Sequence, residues 1–273
     1  MFKLALKETN NLIEGVAMGR KPRAESPMLI QNIGQKGHNS QLIFYDDEDR
    51  EKYEQSLRKA CKENGIVLLA LVLMGNHIHA LFFGSIGKCA GVFESIGASY
   101  VRWFNRKYAR TGSLWNDRYY SKPVTNKQQL LDTAAYIFNN PVKAGIVKNA
   151  ADYAWSSYSE LENPSDNSLV YELLDELVSI DYLKKYIKDK ANAEVADCER
   201  KCCETIPDNP VSDQHVIDEV IKFVKKKNLG RIPQLSENLL TRLVKKLLKF
   251  GSNINQISRL TGLSRYRIVI LCN

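Results

Sequence analysis

The strongest pattern in the chain is a pair of apolar runs, residues 66–73 and 77–83, separated only by Met74-Gly75-Asn76. Two runs of that length joined by a short glycine-containing connection predict a β-hairpin. The second run carries His77 and His79 one residue apart. Successive side chains of a strand point to opposite faces, so both imidazoles project from one face and Ile78 from the other. Upstream, residues 28–33 and 41–45 read as two more strands, with a loop over residues 34–39. Asp46-Asp47-Glu48-Asp49 opens a helix, because acidic residues in a first turn complement the macrodipole. Tyr53, Leu57 and Ala60 follow at helical spacing, and Asn64-Gly65 closes the helix.

A second helix is predicted over residues 88–109. Asn126 is placed to cap a third, which runs to about Asn139 and is stopped by Pro141. Tyr136 and Asn140 lie four residues apart on it and share one face. The order β, β, α, β, β, α, extended segment, α, with short connections around the hairpin, predicts an α+β fold in which helices pack on an antiparallel sheet. Trp155-Ser156-Ser157-Tyr158 closes this unit, residues 162–168 form a polar linker, and residues 170–190 are helical by pattern.

The C-terminal segment has its own periodicity. Ser236 is a candidate cap, and Leu239, Leu240, Leu243, Leu247 and Leu248 form a stripe opposite Arg242, Lys245, Lys246 and Lys249. A short helix follows Ser252-Asn253 with Ile257 and Leu260 inward. Then come Thr261-Gly262-Leu263-Ser264 and a last helix from Arg265, with Ile268 inward. That is a helix-turn-helix pattern, and it places Arg265, Tyr266 and Arg267 at the start of a recognition helix. The alternative is a small helical bundle used for dimerisation. The expected division is an N-terminal arm over residues 1–20 that need not be ordered, a catalytic domain over 21–160, an acidic helical connector over 161–210, and a basic helix-turn-helix domain over 211–273.

Composition fits a soluble globular protein, with 44% apolar and 26% charged residues in 273. No apolar run approaches the ~20 residues of a membrane span, and the N-terminus lacks the apolar stretch of a secretory signal, so a cytoplasmic protein without membrane contact is expected. Six scattered cysteines are then free thiols by default. Cys198, Cys202 and Cys203 with His215 match no standard zinc spacing. Charge changes the picture more. Residues 1–158 hold 21 Lys+Arg against 14 Asp+Glu, residues 159–210 hold 6 against 13, and residues 211–273 hold 12 against 4. Two basic blocks around an acidic one suggest two modules that face a polyanion.

Aromatic residues interleaved with cations strengthen a nucleic-acid reading, since rings stack on bases while cations neutralise phosphates. The candidates are Arg102, Trp103 and Arg106 in the second helix; Trp115, Arg118, Tyr119 and Lys122 in the segment after it; and Lys143 beyond Asn140. The bland alternative is a helix with a buried aromatic face and a solvated basic one. His77 and His79 alone are equally compatible with half-buried strand histidines. Taken with Tyr136 and Asn140 they suggest more. Two imidazoles and an amide oxygen form an incomplete shell suited to Mg²⁺ or Mn²⁺ at a phosphodiester, and a tyrosine nearby is a potential nucleophile.

At these residues the chain resembles the REP-associated tyrosine transposases, the single-tyrosine branch of the His-hydrophobic-His (HUH) transposases. The resemblance rests on Leu73-Met74-Gly75-Asn76-His77-Ile78-His79, on Trp115-Asn116-Asp117-Arg118-Tyr119-Tyr120, on Tyr136-Ile137-Phe138-Asn139-Asn140-Pro141-Val142-Lys143-Ala144-Gly145, and on Trp155-Ser156-Ser157-Tyr158. It implies a ferredoxin-like catalytic domain, often dimeric, acting on single-stranded DNA with hairpin ends. By the same resemblance His77 and His79 are the paired metal ligands, Asn140 the third, and Tyr136 the nucleophile that forms a 5′-phosphotyrosine. A helix-turn-helix extension also fits and implies contact with duplex DNA. Two other readings share the fold: a DNA-binding regulator that has lost transposition, and a replication- or relaxase-type HUH nuclease.

Overall fold

The computed structural model describes residues 23–38, 41–162, 168–201, 211 and 213–272. The expected arm over residues 1–20 lies outside them, as do Cys202 and Cys203. The sheet has four antiparallel strands: β1 (Ile30–Lys36), β2 (Val67–Met74), β3 (His77–Phe83) and β4 (Tyr120–Val124), in the order β2-β3-β1-β4. Helix α1 (Asp47–Asn64) connects β1 to β2, and α2 (Ile86–Lys107) connects β3 to β4. This is the βαββαβ order of a ferredoxin-like fold.

The hairpin forms as expected, with Gly75-Asn76 between the paired Met74 and His77. Its strands are apolar on both faces because both faces are covered. On one side Leu71, Leu73, Ile78, Ala80 and Phe82 pack with Leu57, Phe93 and Tyr100 from α1 and α2. On the other, Ala70, Val72, Met74 and Leu81 pack with Leu130, Ala134, Ile137 and Phe138 of α3 (Lys127–Lys143). His77 and His79 belong to this second face, four and two residues from Leu81.

Four expectations need correcting. Residues 41–45 are not a strand. Leu42, Ile43, Phe44 and Tyr45 are buried, but the segment crosses the end of the hairpin, where the Ile43 and Phe44 amides both reach the Gly75 carbonyl. A run of buried side chains looks the same in sequence whether its amides face a strand or a turn. β1 instead extends through residues 34–36, which were read as loop. Pro141 does not stop α3, which continues to Lys143. A proline removes only its own N–H, here the donor to the carbonyl four residues back, and the chain turns only at Ala144-Gly145. The helix over 170–190 is two helices, α5 (Ser168–Leu177) and α6 (Ile180–Lys201), which follow the short α4 (Ser159–Glu162). The break is held by the Asp175 carboxylate, which accepts from the Ile180 amide at 2.9 Å.

Residues 168–201, read above as a connector, cover the outer side of α3. Leu174, Leu183 and Ile187 join its core, and Asn139 Nδ2 donates to the Ile187 carbonyl at 2.8 Å. The segment Trp155-Ser156-Ser157 shields the free edge of β2, with Leu73 N donating to the Trp155 carbonyl and Ser157 N to the Leu71 carbonyl. The C-terminal segment forms α7 (Asp213–Val224), a 3₁₀ stretch (Lys226–Gln234), α8 (Glu237–Lys249), α9 (Ile254–Thr261) and α10 (Arg265–Cys272). Val216, Ile217, Leu240, Leu243, Ile257 and Ile268 share one continuous apolar cluster with α1 and α2. Among the described residues no helix is long and apolar enough to cross a membrane.

Candidate active site

Three neighbouring elements build the site. β3 presents His77 and His79 on the α3 side of the sheet, their ring centroids 5.0 Å apart. Helix α3 is anchored by the expected cap, with Asn126 Oδ1 accepting from the Gln129 amide at 2.9 Å. It lies over this face and brings the Tyr136 ring to 5.3 Å from that of His79. One turn on, Asn140 lies close enough to His77 to act on its titration. The four residues that the sequence suggested as chemistry therefore converge. Tyr136 is well exposed, whereas His79 and Asn140 are buried. The Lys143 ammonium lies 5.0 Å from the centre of the Tyr136 ring.

Hydrogen bonds engage Nδ1 of both imidazoles. His77 Nδ1 lies 2.7 Å from Asn76 Oδ1, and an amide oxygen only accepts, so His77 carries its proton on Nδ1 and leaves Nε2 with a lone pair. His79 Nδ1 is 2.5 Å from the Tyr120 hydroxyl, which can donate or accept, so Nε2 holds a lone pair only in the Nδ1–H tautomer. Burial lowers the pKa of both rings. His79, further depressed by the charge of a protonated His77, is pushed down to about 3. Both imidazoles are thus neutral at physiological pH, the form that binds metal. Asn140 Nδ2 donates to the Tyr136 carbonyl at 2.8 Å, so its oxygen remains as a further donor. Two imidazole nitrogens and one amide oxygen fit a divalent ion that keeps open positions for water or phosphate. Among the described residues no group of three or more His, Cys, Asp or Glu could hold a metal.

Two clefts meet at the site. One, of about 550 Å³, runs past Asn32, Lys122, Thr133, Tyr120 and Tyr136. The other, of about 740 Å³, begins at Asn76 and His77 and passes Trp155 toward Gln256 and Arg259.

Residues 38–140 match the family described as "Transposase IS200 like". This segment is similar to the IS200-like transposases. It includes His77, His79, Tyr136 and Asn140, and ends on the last of them. A Haemophilus influenzae protein named for the REP-associated tyrosine transposases is 27% identical over 131 residues, 44% of this chain and 72% of the relative. A solved structure of a REP-associated tyrosine transposase bound to a REP hairpin has 16% identity and a TM-score of 0.45, and covers 52% of this chain and 84% of its own.

The remaining candidates before the C-terminal segment are scattered. Lys122 lines the first cleft beside Tyr120 and Tyr136, and Lys143 reaches the nucleophile candidate. Arg102 and Arg106 are exposed on α2, and Arg118 on the loop after it. Trp103 and Trp115 are half-buried against Tyr100, and Trp115 Nε1 donates to the Gly97 carbonyl. Tyr119 is buried, its ring tilted against Phe93 and covered by the Arg23 guanidinium at 3.8 Å, so it presents no face to a base. In the C-terminal segment Arg265 and Tyr266 are exposed, while Arg267 donates to the Pro233 carbonyl. Tyr120 was missed. It follows Tyr119 in sequence, and strand alternation puts it on the opposite face from its buried neighbour, the face that holds the histidines.

Proposed function

We propose that the chain is a metal-dependent DNA strand transferase that cleaves and rejoins single-stranded, hairpin-forming DNA through a 5′-phosphotyrosine on Tyr136. The observation that carries this reading is the convergence of His77, His79 and Asn140 around an exposed tyrosine in a segment similar to the IS200-like transposases. Kinship with a protein named for the REP-associated transposases supports hairpin DNA as the substrate class.

The chemistry follows from the residues. The Tyr136 oxygen attacks the scissile phosphorus in line, its proton leaving to water. A tyrosine–phosphate bond forms as the bond to O3′ breaks, and O3′ leaves as a hydroxyl after taking up a proton. The reverse attack by a 3′-hydroxyl releases the tyrosine and restores a phosphodiester, so no external energy source is needed. Mg²⁺ or Mn²⁺, held by His77, His79 and Asn140, would supply charge neutralisation at the phosphate. Lys143 adds a fixed positive charge beside the attacking ring, and Lys122 lines a cleft along which a phosphate backbone can run. We also assign duplex contact to the start of α10, where Arg265 and Tyr266 are exposed.

The test is incubation with hairpin oligonucleotides and Mn²⁺, followed by denaturing electrophoresis. A covalent protein–DNA adduct is expected in the native protein and absent in Tyr136→Phe. An adduct that survives in Tyr136→Phe overturns the assigned nucleophile.

A further inference from the structure

Gly34 of β1 pairs with His79 on one side and with Tyr120 on the other. Three residues in register therefore cross the sheet, the middle one without a side chain. The phenol of Tyr120 lies over that gap. A β-carbon built on Gly34 would stand 2.5 Å from Tyr120 Cε1 and 2.6 Å from its hydroxyl oxygen. No such atom fits, so any residue larger than glycine displaces the ring. Through the gap the Tyr120 hydroxyl reaches two strands over to His79 Nδ1.

We infer that Tyr120 is a positioning residue for His79, holding its proton on Nδ1 so that Nε2 faces the site, and that Gly34 is the clearance that lets it do so. The inference rests on the proposed metal site. The two possible directions of the hydrogen bond decide the outcome. If the tyrosine donates to Nδ1, the proton of neutral His79 sits on Nε2 and that nitrogen cannot ligate. If Nδ1–H donates to the tyrosine oxygen, Nε2 holds the lone pair. The second arrangement matches His77, whose Nδ1 is bound to an oxygen that only accepts. Each histidine then has a dedicated acceptor, Asn76 on the hairpin turn and Tyr120 on β4. Such outer partners orient a ligand ring and raise its basicity, and their loss commonly costs roughly tenfold to a hundredfold in metal affinity.

The experiment compares the full chain with Tyr120→Phe and Gly34→Ala, without DNA. Long-range ¹H–¹⁵N spectra of the histidine rings read the tautomer, and calorimetry reads Mn²⁺ affinity. In the native protein His79 is expected as the Nδ1–H tautomer. In Tyr120→Phe the His79 signals move toward the other tautomer while those of His77 stay, and Mn²⁺ affinity falls roughly tenfold to a hundredfold. Gly34→Ala, which keeps both side chains but displaces the Tyr120 ring, produces the same tautomer change. If Gly34→Ala does not fold, Tyr120→Phe decides alone, because it keeps the ring and removes one oxygen. A native His79 tautomer and Mn²⁺ affinity within about twofold in Tyr120→Phe overturns the inference. If the native protein binds no Mn²⁺ yet the tautomer shifts in Tyr120→Phe, the metal reading fails and the positioning role stands.

Discussion

Asn140 hangs from the residue it serves: its Nδ2 donates to the carbonyl of Tyr136, one helical turn back, at 2.8 Å. This bond orients the amide, so that the nitrogen faces its own helix and the oxygen is left for the histidine side of the site. It also ties the third ligand candidate to the backbone of the nucleophile candidate. Replacing Asn140 with Leu removes the oxygen while approximately keeping the volume. Mn²⁺ affinity is expected to fall at least about tenfold, and adduct formation with it. Asn140→Asp keeps an oxygen and adds charge but loses the donor to Tyr136. It is expected to bind Mn²⁺ at least as well as the native protein while forming adduct more slowly. Calorimetry and single-turnover gels separate the two. Equal Mn²⁺ affinity in the native protein and Asn140→Leu would remove Asn140 from the ligand set.

Metal removal should leave the fold intact. The His77 and His79 Nδ1 atoms are already satisfied by Asn76 and Tyr120, and the strands and α3 that carry the site are held by apolar cores on both faces. A chelator is expected to abolish adduct formation while the thermal midpoint of the DNA-free protein changes by no more than about 2–4 °C, the shift produced by roughly 1 kcal/mol in a chain of this size. Loss of secondary structure on chelation, followed by circular dichroism, would mean instead that the ion is structural.

A buried ion network away from the site sets the entry to α1. Asp49 is fully buried. Its carboxylate accepts from the Tyr45 amide, completes a capping box with Asp46, and takes Lys107 Nζ at 2.7 Å and the Tyr108 hydroxyl. Lys107→Met takes their cation from three carboxylates, Asp46, Glu48 and Asp49, and about 3–5 kcal/mol of stability is expected to be lost at neutral pH. The pH dependence has a definite sign. Burial raises the Asp49 pKa above its unfolded value, so the folded state holds this proton more tightly. Such a group lowers stability as pH rises from the unfolded toward the folded pKa. Removing Lys107 takes away a cation that opposes the shift, so the deficit of Lys107→Met should shrink as pH falls into the acid range. Urea unfolding from pH 4 to pH 8 measures this, and a deficit independent of pH would contradict it.

The parts of the site that follow local rules were legible. Strand alternation placed both histidines on one face, helical i, i+4 spacing paired Tyr136 with Asn140, and Asn126 announced the helix that carries them. What escaped depends on contacts between segments distant in sequence. Tyr120 matters only because Gly34, 86 residues earlier, leaves room for its ring. Tyr119 lost its candidacy because Arg23 and Phe93 enclose it. Residues 41–45 alternate and bury like a strand, yet their amides meet a turn carbonyl rather than a neighbouring strand. Nor does charge patterning reveal that the basic C-terminal helices share a core with α1 and α2.

That shared core determines how the duplex-binding reading of α10 has to be tested. Deleting residues 236–273 would remove part of that continuous cluster, so point substitutions are required. α9 and α10 meet across Gly262, which adopts φ 73°, with Leu263 and Ile268 buried beneath. Arg267 is occupied by the Pro233 carbonyl, leaving Arg265 as the exposed cation at the helix start. Arg265→Glu is expected to weaken binding to duplex DNA and to reduce the slope of log affinity against log salt by about one. Adduct formation on short hairpin oligonucleotides should be unchanged. The outer face of α10 also carries Tyr266, Val269 and Ile270, all well exposed. If Arg265→Glu leaves duplex affinity and its salt slope intact while Ile270→Ser converts a dimer to a monomer in sedimentation, α10 pairs two copies of the chain, and the duplex-binding assignment is withdrawn.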